Sequence, residues 1–147
     1  MRTQKKLSFP EIFNFNKRRR LKLPLFVARV SAGFPSSADD FLDKKLDLNE
    51  FLVAHPAATF FVRAGGESMT GAGIQSGDIL IVDRAINPSS GQVVIAVLNG
   101  ELTVKRIIKK ENKLMLEPAN PKFAPIEITE DANFEVWGVV TYVIHNL

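Results

Sequence analysis

The 147-residue chain is 46% apolar and 24% charged, the balance of a single globular domain with enough apolar side chains for one core. It has no cysteine and two histidines, His55 and His145, which excludes disulfides and thiolate chemistry and leaves almost nothing from which to build a zinc site. The net charge of +3 is unevenly spread: residues 1–32 hold nine Lys/Arg and one acid, Glu11, giving +8, so residues 33–147 carry −5. An acidic body argues against nucleic-acid binding by the protein as a whole, and the run Lys17-Arg18-Arg19-Arg20 is read as solvated charge.

Residues 1–40 are predicted to form an extended basic arm, and residues 41–147 a β-rich domain. The arm has no sustained helical period, is broken by Pro10, Pro24 and Pro35, and ends in the turn-rich Ser31-Ala32-Gly33-Phe34-Pro35-Ser36-Ser37. Lys17–Lys22, Leu23–Val30 and the small residues Val30-Ser31-Ala32 follow the order of a secretory leader. The apolar run is short, however, interrupted by Pro24 and Arg29, and begins well inside the chain, so secretion is not expected. No stretch approaches the ~20 apolar residues of a membrane span. The lack of cysteine fits a reducing compartment, and a cytoplasmic protein is expected.

A helix is predicted over Asp47–His55. Asp47-Leu48-Asn49-Glu50 has the spacing of a capping box, Pro56 ends the run, and Leu48, Phe51 and Leu52 share one face as a packing stripe. From Ala58 onward the pattern is strands and turns. Strands are predicted at 58–64, 78–83, 92–98, 101–108, 113–118, 124–129 and 134–144, rich in Val, Ile, Phe and Thr. Asn99-Gly100 is a two-residue hairpin signal, with looser turns at Asn87–Gly91 and Pro118-Ala119-Asn120-Pro121. The expected fold is mainly β, a curled antiparallel sheet or partly open barrel, with one short helix and an extended N-terminal arm.

Two segments carry candidate chemistry. Gly65-Gly66-Glu67-Ser68-Met69-Thr70-Gly71-Ala72-Gly73 places a serine at a glycine-rich break directly after an apolar strand. Thr103-Val104-Lys105-Arg106 places cations inside another. Ser68 can be read as a turn residue, or as a nucleophile exposed by a sharp turn whose backbone N–H groups, around Glu67 and Met69, bind an oxyanion. Neither histidine has a context that marks a Ser-His-Asp triad; a Ser-Lys pair is the variant that dispenses with histidine. Lysine must then be neutral near pH 7, a shift from about 10.4 that corresponds to roughly 4.6 kcal/mol and that burial can supply. Alternation puts Lys105 on one strand face with Thr103, a candidate to orient it, and Arg106 on the other, and does not say which cation points inward. Arginine cannot be deprotonated, so only Lys105 can serve as base.

At these residues the chain resembles the self-cleaving Ser-Lys peptidases of the SOS response, the LexA and UmuD family. The likeness runs from about Ser31 to the C-terminus, through Ala32-Gly33, Phe34-Pro35, Gly66-Glu67-Ser68-Met69, Gly77–Asp83, Gly100–Arg106 and Val136-Trp137-Gly138-Val139-Val140. By this resemblance Ser68 is the nucleophile, Lys105 the general base and Ala32-Gly33 the scissile bond, with no cofactor and no metal. The 32 residues before Gly33 are too few for a helix-turn-helix domain plus linker, which favours the UmuD branch over LexA. Alanine before the glycine departs from the cysteine often found in UmuD-type sites. The resemblance implies a homodimer without sequence-specific DNA binding, whose cleavage is stimulated by a RecA–single-stranded DNA filament and whose product serves an error-prone, UmuC-like polymerase subunit. A LexA- or phage-repressor-like transcriptional regulator, inactivated by the same cut, is the alternative.

Overall fold

The structure is a computed structural model that describes residues 21–26 and 42–147. The Ala32-Gly33 bond and most of the predicted arm lie outside the described residues. The chain divides into two compact units, one containing the described residues up to Ala54 and the other beginning at His55.

In the first unit, β1 (Lys22–Phe26) and β2 (Leu42–Asp47) form an antiparallel pair in which Lys22 faces Asp47 and Leu23 faces Leu46. Neither strand is anticipated from the sequence. The following helix α1 is shorter than expected, Leu48–Leu52 rather than Asp47–His55. Its start is the predicted one: the Asp47 carboxylate accepts the Asn49 N–H at 2.9 Å and caps the first turn. Its end comes early: Val53 is already extended at φ −120°, ψ 93°, its N–H closing the turn onto the Asn49 carbonyl, three residues ahead of Pro56. With barely more than one turn, α1 does not bury the expected stripe; Leu48 and Phe51 stay 55% and 53% exposed, and Leu52 is half-buried.

The second unit is one antiparallel sheet of seven strands: β3 (Thr59–Arg63), β4 (Ile79–Asp83), β5 (Val93–Leu98), β6 (Glu101–Lys110), β7 (Lys113–Glu117), β8 (Ile126–Ile128) and β9 (Phe134–Ile144). Each lies within two residues of its predicted bounds. Their order in space is β3-β4-β9-β5-β6-β7-β8, open at β3 and β8, so the sheet is curled and does not close into a barrel. The β5–β6 hairpin turns on Asn99-Gly100, both at positive φ as a type I′ turn requires.

Strands β4 and β5 read as unbroken apolar runs because both faces of the sheet are covered there. Leu80, Val82 and Ile95 join Phe60, Met69 and Ile74 in one cluster, while Val94, Ala96, Ile107, Leu116 and Val139 form a second. The curl is concentrated in β9. The register slips by one residue opposite Ile81/Val82 and again opposite Ile95/Ala96, leaving Thr141 and Trp137 as bulged positions. Gly138 lies between the two bulges, where an added Cβ would sit 2.7 Å from Val82 Cγ1 and 3.0 Å from the Asp83 carbonyl oxygen.

Both histidines hold the ends of β4. His55 Nδ1 lies 2.6 Å from Asp83 Oδ2, and His145 Nδ1 lies 2.6 Å from Asp78 Oδ1. The Gln75 N–H and then His145 hold the Asp78 carboxyl below its ordinary pKa.

Replacing Gly138 with Ala is expected to lower stability by about 1–3 kcal/mol through overpacking at this crossing. Thermal unfolding followed by circular dichroism checks this; an unchanged midpoint would refute the tight approach.

Candidate active site

The segment between β3 and β4 is a loop with a closed base. The Ala64 N–H donates to the Asp78 carbonyl and the Gly77 N–H to the Ala64 carbonyl, both at 2.8 Å. Asp78 Oδ2 also accepts the Gln75 N–H at 2.8 Å, and Arg63 Nη1 donates to the Gly77 carbonyl at 3.0 Å. Gly66 takes φ +76°, a conformation that side chains disfavour, and so turns the chain two residues before Ser68. Met69 is the loop's apolar anchor, buried in the first cluster beside Phe60 and Leu80. Its carbonyl accepts the N–H groups of Ala72 and Ile74, closing a 3₁₀ turn over Thr70–Ala72. With Met69 held inside, Ser68 is half-buried beside the cleft.

From the far side comes β6. Thr103 and Lys105, two residues apart on one strand face, both contribute. Lys105 Nζ donates to Ser68 Oγ at 3.0 Å, to Thr103 Oγ1 at 2.9 Å and to the Val104 carbonyl at 3.0 Å. This resolves the choice between the two cations of the strand: Arg106 Nη1 donates to the Gly91 carbonyl at 2.9 Å, away from Ser68. Burial disfavours the charged ammonium and lowers the Lys105 pKa from its ordinary value.

The three acceptors match the ammonium's three hydrogens. A neutral amine has two hydrogens and one lone pair, and the same positions accommodate it. Thr103 Oγ1 and the Val104 carbonyl take the two hydrogens, leaving the lone pair to accept the Ser68 O–H. Proton loss therefore requires no rearrangement of the site.

Ser68 and Lys105 line a cleft of about 330 Å³ together with Val62, Leu80, Ile95, Leu102 and Val104. Arg63 and Thr103 add polar groups to these apolar walls. Among the described residues, the N–H groups of Glu67, Ser68 and Met69 have no hydrogen-bond partner, so they are available as donors to a bound oxygen. Neither histidine is used here, since each is engaged by an aspartate at an end of β4. Among the described residues no cluster of His, Cys, Asp or Glu could hold a metal.

Sequence reasoning missed the second support of the loop, the turn between β7 and β8. Asn120 Nδ2 donates to the Glu67 carbonyl at 2.9 Å, the Ala119 N–H donates to Met69 Sδ at 3.3 Å, and the Gly71 N–H donates to the Ala119 carbonyl at 2.6 Å. Pro118-Ala119-Asn120-Pro121 signals a turn in sequence, but nothing local reveals a partner some fifty residues away.

The family described as Peptidase S24-like matches residues 24–141. Protein ImpA of Escherichia coli is 49% identical over 124 residues, 83% of this chain and 83% of that protein. Protein MucA of Escherichia coli is 40% identical over 121 residues, 82% of each. The LexA repressor of Syntrophotalea carbinolica is 38% identical over 128 residues, 87% of this chain and 62% of that protein. With its family match spanning both β6 and the Ser68 loop, the chain belongs to the S24-like peptidase family.

Proposed function

We propose that this protein is a UmuD-like switch of the SOS response, which cuts its own chain between Ala32 and Gly33 with Ser68 as nucleophile and Lys105 as general base. The observation that carries this is the 3.0 Å contact between Lys105 Nζ and Ser68 Oγ, made by a lysine whose burial lowers its pKa.

Cleavage begins when Val30–Phe34 enters the cleft as an extended segment, where the small Ala32 and Gly33 allow close approach. Neutral Lys105 accepts the Ser68 proton as Ser68 Oγ bonds to the Ala32 carbonyl carbon. The oxyanion is met by backbone N–H groups of the Glu67–Met69 segment. The Ala32–Gly33 C–N bond then breaks, and the proton on Lys105 passes to the departing Gly33 amine. Water attacks the Ala32 ester, giving up a proton to Lys105. The products are a carboxylate at Ala32, a free amine at Gly33 and the regenerated serine.

Because substrate and catalyst share one chain, effective concentration favours the reaction, and control lies in how often the segment occupies the cleft. A RecA–single-stranded DNA filament would raise that occupancy. Cleavage severs a segment of charge +8 from a body of −5, and the body, once freed, joins an error-prone polymerase as a dimer. The LexA-type alternative shares the dyad; a salt-dependent DNA mobility-shift assay on the uncut protein separates the two.

In isolated protein the cleavage rate should rise with pH and level off at a midpoint below the ordinary lysine value of about 10.4, since only the amine form can take the proton. Mass spectrometry would show the fragment beginning at Gly33. Ser68→Ala should abolish it, and Lys105→Ala should slow it by about 10²–10⁴-fold. A rate flat from about pH 7 to 10 rules out lysine as the base.

Thr103→Val removes an acceptor that the ammonium uses more strongly than the amine. The midpoint should therefore move to lower pH while the plateau rate falls, and an upward shift would contradict the assigned role.

Stability is linked to the same proton. Folded Lys105 releases it at lower pH than the unfolded chain does, so stability should rise with pH between the lowered pKa and about 10.4. Lys105→Met should remove that rise in denaturant titrations.

A further inference from the structure

The turn between β7 and β8 does more than pack against the serine loop. We propose that Asn120 is a positioning residue for catalysis: it fixes the plane of the Glu67–Ser68 peptide and so keeps the Ser68 N–H presented as an oxyanion donor. This rests on the Ser-Lys reading above and adds to it a residue outside the dyad.

The Glu67 carbonyl and the Ser68 N–H belong to one planar trans peptide group and point in opposite directions from it. Whatever grips the carbonyl therefore sets the direction of the N–H. Asn120 Nδ2 donates to that carbonyl at 2.9 Å, and the Thr70 N–H approaches the same oxygen at 3.4 Å. The Ser68 N–H itself has no partner among the described residues, so nothing on its own side holds it. Gly66 adds to the need for such a grip, because glycine gives the loop backbone freedom immediately before this peptide.

Asn120 is itself held from behind. Its Oδ1 accepts the Lys122 N–H at 3.0 Å, and its carbonyl accepts the Phe123 N–H at 3.1 Å. One amide thus divides its two ends between two tasks: the oxygen closes its own turn, and the nitrogen reaches the serine loop. The neighbouring Ala119 fixes the approach of the two segments. It receives the Gly71 N–H at 2.6 Å, and a Cβ on Gly71 would lie 2.4 Å from the Ala119 carbonyl oxygen. The turn and the loop are therefore held at a set distance by backbone contacts, leaving the Asn120 amide to determine orientation. Half-buried Asn120 contributes little to either apolar cluster, so its removal should leave the fold intact.

Asn120→Asp separates the two tasks. It retains an oxygen for the Lys122 N–H and replaces the donor that faces the Glu67 carbonyl with an acceptor. Asn120→Ala, which removes both ends without adding charge, serves as the second variant if the first does not fold. Self-cleavage of the full chain would be followed by mass spectrometry across the pH range, with Ser68→Ala in parallel and thermal midpoints recorded for each protein. The expected result is a plateau rate reduced by about 10- to 100-fold, less than the about 10²–10³-fold loss on deleting an oxyanion donor outright. The pH midpoint should not move in Asn120→Ala, which adds no charge and leaves Lys105 and its three acceptors in place, while the carboxylate of Asn120→Asp can only raise it. A plateau within about twofold of the parent, or in Asn120→Ala a loss of rate accompanied by a shifted midpoint, overturns the assignment. A parent protein that does not cleave, or a Ser68→Ala protein that does, overturns the Ser-Lys reading and this inference with it. Unaltered cleavage in the Asn120 variants alongside an inactive Ser68→Ala overturns this inference alone.

Discussion

The site depends on a lysine amine drawn out of water onto a serine hydroxyl. Lys105 loses hydration on burial and regains three acceptors, from Ser68, Thr103 and the Val104 carbonyl. Removing water destabilises the charge, while the three acceptors retain a place for each proton. The outcome is a group that can exist in either protonation state without a change in geometry. An ordinary solvated lysine would hold its proton at neutral pH and could not accept one from serine.

Holding that geometry requires two segments distant in the chain to meet within a hydrogen-bond length. One partner sits on β6, inside a regular sheet, where its position is set by pairing with β5 and β7. The other sits on a loop, which the fold has to secure by other means. It is closed at its base by the Ala64–Asp78 backbone bonds, pinned inward by Met69, and held from the side by the β7–β8 turn. The His145–Asp78 pair extends the base outward and ties the end of the chain to the foot of the serine loop. The bulges of β9 let one strand serve both β4 and β5 while bending enough to bring the sheet around the cleft.

Much of this was legible in the sequence, because local chemistry dominates in the relevant stretches. Most of strands β3 to β9 are rich in Val, Ile, Thr or Phe, although β7 has no β-branched residue, and the Asn99-Gly100 turn has few alternatives. Ser68 stood out through its glycines, and Lys105 through being a charge in an apolar strand. The features that escaped are those decided by partners far along the chain. β1 and β2 exist by pairing with each other, and β1 contains Pro24, which weakens any strand signal. His55 and His145 looked unremarkable because their aspartates lie 28 and 67 residues away. Asn120 has only a turn signature, and its reach across to Glu67 is a property of the folded sheet. The helix was overextended because nothing local marks Val53, already extended in the fold, as its end.

The pairing of β1 with β2 would give the proposed self-cleavage a second stage. Lys22–Phe26 lies before the Ala32-Gly33 bond and Leu42–Asp47 after it, and the two strands are hydrogen-bonded to each other. A cut at the proposed Ala32-Gly33 bond would leave β1 and β2 paired, so it would not by itself free β1. Among the described residues, β1 would then be held by a short two-stranded ribbon in which Leu23 is half exposed, and such ribbons are marginal in water. Dissociation then becomes a bimolecular equilibrium, governed by dilution and by whatever competes for the edge of β2. Cutting and unmasking are separate events with separate clocks, and the second can be reversed where the first cannot.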